Sequence, residues 1–126
     1  MSAPIRILCV DDEHDIRTIA TMSLGLDPAM EVRSAGSGTE ALAMLEAGDW
    51  RPDVALLDVM MPGMDGPTLL AEIRARPAIA GLPVIFMTAR ARQSDVDAYR
   101  ALGANGVIVK PFDPIELAKQ VRALIG

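Results

Sequence analysis

No stretch of this 126-residue chain is apolar for anything near the ~20 residues that a membrane-crossing helix requires. The first residues, Met1-Ser-Ala-Pro4, lack the basic and apolar segments of a secretory leader. Cysteine is reduced to one, Cys9, set within an apolar run; it reads as a small core side chain in a reducing compartment. Excess positive charge is missing as well. The net charge is −5, whereas a non-specific nucleic-acid surface is basic. Linkers rich in Gly/Ser or Pro are lacking, and no segment repeats. These absences exclude a helical membrane protein, a disulfide-stapled secreted domain and a polycationic binder, and they make the cytoplasm the expected location. With 51% hydrophobic and 23% charged residues, the composition is that of a globular protein. The length suits one core and is too short for two, so a single domain over residues 1–126 is expected.

The stretch that organises the chain is Val54-Ala-Leu-Leu-Asp58 followed by Val-Met-Met-Pro62-Gly-Met-Asp-Gly66. An unbroken apolar run closed by turn residues reads as a strand buried on both faces, here with one carboxylate at its carboxyl end. Strands are expected at Ile5–Val10, Glu31–Ala35, Pro52–Asp58, Leu82–Thr88 and Gly106–Lys110. Between them the apolar spacing becomes helical: Ile16, Ile19, Ala20, Ser23 and Leu24 before Gly25, then Ala41, Leu42 and Leu45 before Gly48. Leu69, Leu70 and Ile73 follow Pro67, a residue suited to a first helical turn. Ser94 reads as the cap of a fourth helix running through Tyr99 and Leu102 to Gly103. Asp113-Pro114 opens a fifth that buries Leu117, Val121 and Leu124. Strands alternating with helices through short loops predict an α/β domain, a doubly wound five-stranded parallel sheet covered on both faces.

In such a sheet every carboxyl end lies along one edge, where open α/β sheets bind their ligands. Asp11-Asp12, Asp58, Thr88 and Lys110 all stand at strand ends, so residues far apart in sequence are expected to meet in one cleft. Close carboxylates repel, and each resists ionising unless a cation compensates them. A hard divalent ion with oxygen ligands does so, and Mg²⁺ needs few carboxylates because it keeps several waters. A lysine and a hydroxyl beside them supply the charge and the donor that a phosphoryl group requires. The constellation describes a carboxylate nucleophile, a metal and two further phosphoryl ligands, with an aspartyl phosphate as the natural product. Each residue alone has a plainer reading. Asp11 or Asp12 reads as a helix N-cap, Thr88 as a loop hydroxyl on nearby backbone, and Lys110 before Pro111 as a solvated charge at a turn. The shared polarity of the four strand ends weighs against those readings. A cis Lys110-Pro111 peptide would also aim the lysine inward.

Asp11-Asp12-Glu13, Leu57-Asp58-Val-Met-Met-Pro62-Gly-Met-Asp-Gly66, Met87-Thr88-Ala89, Ala101-Leu-Gly-Ala-Asn105 and Lys110-Pro111-Phe112 together resemble the response-regulator receiver domain of two-component signalling, in its chemotaxis-type single-domain form. The resemblance covers essentially the whole chain and implies a flavodoxin-like sheet of order 2-1-3-4-5. It implies Asp58 as phosphoacceptor, Asp12 and Asp58 as direct Mg²⁺ ligands, and Asp11 as a carboxylate acting largely through water. Met60 matches the residue whose backbone carbonyl completes the metal's protein ligands. Thr88 matches the switch hydroxyl and Lys110 the lysine that holds the phosphoryl group. The implied function is a phosphorylation-dependent switch, fed by a histidine kinase or histidine phosphotransfer protein and read by a downstream target protein. The reading surface would be the fourth helix, fifth strand and fifth helix. No direct contact with nucleic acid or membrane is implied, and the expected state is a monomer or a weak phosphorylation-dependent dimer. Such a chain is not an enzyme beyond its own phosphorylation and dephosphorylation.

Departures and rival readings follow from particular residues. Receivers commonly carry Tyr or Phe three residues before the lysine; here that position is Val107, so the aromatic readout is absent. Met60 and Arg90 lie two residues beyond Asp58 and Thr88, and a bulky apolar chain and a cation there predict slow self-dephosphorylation. His14-Asp-Ile-Arg17 resembles a histidine-kinase phosphoacceptor box but lacks the helix pair and nucleotide domain, and reads as an exposed helix start. Gly36-Ser-Gly-Thr39 lacks the lysine of a phosphate loop and reads as a loop and N-cap. Met60, Met61 and Met64 read as loop and core packing, since hard oxygen ligands are their neighbours. The alternatives are a phosphate shuttle or sink in a phosphorelay, a phosphate-independent interaction module, and an aspartyl-nucleophile phosphatase. Against the last stands Met60, where such phosphatases place a second Asp as acid/base.

Overall fold

A computed structural model describes residues 3–125; residues 1, 2 and 126, the outer limits of the expected domain, lie outside the described residues. Strands β1 (Ile5–Val10), β2 (Met30–Ala35), β3 (Val54–Asp58), β4 (Val84–Thr88) and β5 (Gly106–Val109) alternate with five helices. These are α1 (His14–Leu24), α2 (Gly38–Ala47), α3 (Gly66–Arg74), α4 (Gln93–Ala101) and α5 (Leu117–Ile125). All strand pairs are parallel, in the order β2-β1-β3-β4-β5. This is the doubly wound, flavodoxin-like sheet expected, and its order reverses at β1 and β3, where such sheets open a crevice. No helix of the described residues is long and apolar enough to cross a membrane.

The two-residue period of the strands divides the core. Leu8, Val10, Ala55, Leu57, Val84 and Phe86 meet Ala41, Leu42 and Leu45 of α2 and Leu69, Leu70 and Ile73 of α3, with Tyr99 of α4 packed against them. Ile7, Cys9, Leu56, Ile85, Met87 and Ile108 meet Ala20 and Leu24 of α1 and Leu117 and Val121 of α5. Every residue of β3 is buried, which is why its sequence shows no alternation.

Several boundaries differ from the expected ones. β4 begins two residues late, after Pro83, because proline has no N–H for the ladder; β3 also begins two residues late, at Val54, where the carboxylate of the preceding Asp53 accepts the Arg6 N–H at 2.8 Å in place of a ladder carbonyl. Pro83 still accepts the Ala55 N–H at 2.9 Å. β2 begins one residue early, at Met30, and β5 ends at Val109. Ser94 is not a cap but lies inside α4; Arg92 takes the N-cap position and the Asp95 carboxylate accepts its N–H at 3.3 Å. The helix start is marked by the carboxylate of the third helical residue reaching back to the N-cap N–H, one half of a capping box, and not by an N-cap hydroxyl. Ile19 faces outward, 44% exposed, while Ala20, Ser23 and Leu24 turn inward. α5 is preceded by a tight turn in which Asp113 accepts the Ile115 N–H at 2.9 Å, and Leu124 is half-buried.

Candidate functional site

Asp58 closes β3, and the next N–H, that of Val59, still donates to Met87 of β4. The loop that follows folds back on it: Gly66 N–H donates to Val59 O at 3.0 Å, and Asp65 caps α3 by accepting the Thr68 N–H at 2.8 Å. A Cβ at Gly66 would stand 2.5 Å from the Asp58 carbonyl oxygen, so only glycine allows this approach. Asp11 follows β1 directly and keeps the ladder, donating to Ala35 O at 3.2 Å. Lys110 follows β5, its N–H on Thr88 O at 2.8 Å, and the Lys110–Pro111 peptide is cis.

These strand ends converge. Asp11, Asp12 and Asp58 offer carboxylate oxygens within 4.8 Å of one another; Asp11 and Asp58 are buried and Asp12 is exposed. Lys110 Nζ donates to Asp11 Oδ2 at 2.8 Å and lies 3.1 Å from Asp58 Oδ1, with the lysine side chain 18% exposed. Asp58 Oδ1 also meets the Met60 N–H at 3.4 Å. Asp58 Oδ2 has no protein donor among the described residues, and no fully buried side-chain oxygen there lacks a partner, so this oxygen reaches the opening. Thr88, buried at the end of β4, accepts the Arg90 N–H on Oγ1 at 3.0 Å.

Burial pushes the Asp58 carboxyl above its ordinary range; the Lys110 contact opposes this and the Asp11 charge reinforces it. For Lys110, burial works against the charged form, but hydrogen bonds to Asp11 and Asp58 outweigh it and hold the ammonium above its usual value. Three carboxylates thus face one ammonium. The ligand atoms are hard oxygens, with no thiolate or imidazole in the cluster, which fits Mg²⁺ rather than a softer ion.

Asp12 is not a cap; Asp11 Oδ1 accepts the Glu13 N–H at 2.9 Å, and Glu13 holds the α1 N-cap position without a side-chain bond. His14 is exposed at the start of α1. Ser37 caps α2, accepting the Glu40 N–H at 3.1 Å, while the Glu40 carboxylate accepts the Gly36 N–H, a loop and cap as expected. Met61 is in the core and Met64 packs against it, but the Met60 side chain is 78% exposed. Sequence reasoning missed Arg17, whose Nη1 donates to the Asp11 carbonyl at 2.7 Å. Its position one turn into α1 was the available signal, though a basic residue there ordinarily reads as solvated. A cleft of about 560 Å³ opens between the α2–β3 and α3–β4 loops, lined by Trp50, Pro52, Pro77, Ile79 and Leu82. None of the four strand-end groups lines it.

A family model, the response regulator receiver domain, matches residues 7–122. The DNA-binding response regulator MtrA of Mycolicibacterium paratuberculosis is 39% identical over 121 residues, covering 94% of this chain and 50% of MtrA. The transcriptional regulatory protein CseB of Streptomyces avermitilis is 36% identical over 125 residues, covering 99% of this chain and 51% of CseB. The chain therefore spans about half the length of these relatives. Among solved structures, the Vibrio cholerae chemotaxis protein CheY4 superposes with a TM-score of 0.85 at 34% identity, over 97% of this chain and 99% of that one. The receiver domain of the Francisella response regulator 1452 gives 0.83 at 27% identity, over 95% of each.

Proposed function

This chain belongs to the response regulator receiver family of two-component systems, and on that premise we propose that Asp58 takes a phosphoryl group from a phosphohistidine donor. The observation that carries the proposal is Lys110 Nζ held between Asp11 and Asp58 beside an Asp58 oxygen that no protein donor occupies. That oxygen attacks phosphorus in line. The P–N bond breaks, its electron pair leaves with the imidazole nitrogen, and a carboxyl–phosphate anhydride remains on Asp58. Lys110 stays beside the new group and neutralises part of its charge. The Asp11, Asp12 and Asp58 carboxylates with the Met60 carbonyl would hold Mg²⁺, which when bound supplies positive charge to the phosphoryl oxygens.

Thr88 accepts from Arg90 while its own hydroxyl proton stays available, so it donates to a phosphoryl oxygen by turning inward and drawing the loop after β4 with it. The face of α4, β5 and α5 then shifts its population between states. Val107, half-buried opposite Phe86 in the ladder, carries no ring to report that shift, so the loop itself transmits it. The proposed partners are a histidine kinase or phosphotransfer protein upstream and a target protein downstream. MtrA is named for DNA binding at twice this length; for a domain with net charge −5 we propose output through protein contact. The cytoplasm is the proposed location, and a monomer or weak phosphorylation-dependent dimer the proposed state.

Incubation with acetyl phosphate and Mg²⁺, followed by intact mass, tests this reading. A single phosphoryl adduct that requires Mg²⁺ and is absent from Asp58→Asn supports it. The same adduct on Asp58→Asn would overturn it.

A further inference from the structure

Asp11 is held at every polar atom. Its N–H donates to Ala35 O, Oδ1 accepts from Glu13 N–H, Oδ2 accepts from Lys110, and its carbonyl accepts Arg17 Nη1 at 2.7 Å. Asp12 is the opposite case. It is exposed and its carboxylate has no hydrogen-bond partner among the described residues, so the backbone alone sets its place in the cluster. The Asp11 carbonyl and the Asp12 N–H share one planar peptide unit. A bond that fixes that carbonyl therefore fixes the plane from which Asp12 departs.

Arg17 is built for this contact rather than for an ion pair. It is half-buried, and no carboxylate lies within salt-bridge distance of it among the described residues. Its own N–H is anchored in the first turn of α1, on Glu13 O at 3.1 Å. Its Nη2 lies 3.4 Å from His14 Nδ1, and its guanidinium passes over Gly36, where a Cβ would stand only 3.2 Å from Nη1. The side chain thus spans α1, the acidic turn after β1 and the turn after β2.

We infer that Arg17 is a positioning residue for the divalent cation, holding the Asp11–Asp12 peptide so that the three carboxylates face one ion. This rests on the metal site proposed above. Two physical effects give opposite signs. A guanidinium beside a cation site repels the cation, so charge alone predicts that removing it tightens binding. Loss of the peptide anchor predicts weaker binding, since partners that orient ligands are typically worth 10- to 100-fold in affinity, roughly.

Calorimetric titration of Mg²⁺ into metal-free wild type, Arg17→Met, Arg17→Lys and Asp58→Asn separates these effects, at a temperature where circular dichroism shows each folded. Arg17→Met keeps the stem and drops the donor; it is expected to bind Mg²⁺ about tenfold more weakly, with Arg17→Lys between it and wild type. Should Arg17→Met not fold, Arg17→Leu, also neutral and without a donor, is read in its place. Binding to the neutral variant as tight as or tighter than to wild type would overturn the inference while leaving the metal site standing. Wild type that binds no Mg²⁺, or Asp58→Asn that binds it equally, would remove the site and the inference together.

Discussion

Asp58 is ionised at a cost in the metal-free fold, because burial and the Asp11 charge outweigh what Lys110 returns. A carboxyl raised in the folded state binds its proton more tightly there than in the unfolded chain. Its contribution is therefore favourable at low pH and is lost as pH rises above the unfolded value of about 4. Asp58→Asn is expected to melt at a higher temperature than wild type near neutral pH in chelator, with the gap narrowing as pH is lowered; thermal scans across pH check this. Cys9 is a second case of burial setting chemistry. Burial, with Asp11 adding to it, pushes its thiol up to about 12. A thiol reagent at mildly alkaline pH is expected to leave the folded protein unmodified and to label Cys9 once urea unfolds it. Met60 and Arg90 lie two residues beyond Asp58 and Thr88, the first with an exposed apolar chain and the second bonded through its N–H to Thr88. Phosphorylated wild type is expected to lose its phosphoryl group more slowly than a Met60→Asn, Arg90→Glu variant, followed by intact mass over time. Equal decay would remove these two side chains from the account.

At the scale of elements, the turn after β3 matters more than the strand itself. Gly66→Ala would drive a Cβ into the backbone of Asp58, and an overpacked contact of this kind costs about 1–3 kcal/mol. Urea midpoints are expected to show that loss together with weakened Mg²⁺ binding. Ser37→Ala removes the α2 cap, a hydroxyl bonded to the Glu40 N–H and to no cluster carboxylate; it is expected to cost about 1 kcal/mol, read from the urea midpoint. Element type and order were legible because most strands are short apolar runs and most helices carry a 3.6-residue stripe; β2, with Glu31, Arg33 and Ser34, and α4, which buries no residue, were marked by Gly36 and Gly103 at their ends instead. The failures have local causes. Pro83 trimmed β4 on the donor side, the Asp53 carboxylate took the Arg6 N–H ahead of β3, Asp95 displaced Ser94 as the feature that starts α4, and Ile19 lay at the margin of its helical stripe. Trp50 could not be placed from its neighbours: its Nε1 donates to Glu31 at 2.9 Å and Arg33 stacks over its ring, both partners on β2.

For the whole molecule, the meeting of the candidate groups was legible because they are polar residues ending apolar strands, and a parallel sheet must bring such ends to one edge. Convergence of Asp11, Asp12, Asp58 and Lys110 follows from topology. What topology does not give is which oxygen of Asp58 stays free, or that Arg17 reaches the Asp11 carbonyl; both depend on rotamers set by the packed structure. Borohydride reduction of protein treated with acetyl phosphate and Mg²⁺, followed by peptide mapping, reads out which side chain carries the phosphoryl group. An acyl phosphate is reduced to the alcohol, so homoserine is expected at position 58 and at no other aspartate. Homoserine at position 11 or 12, or an intact phosphohistidine at His14, would contradict it.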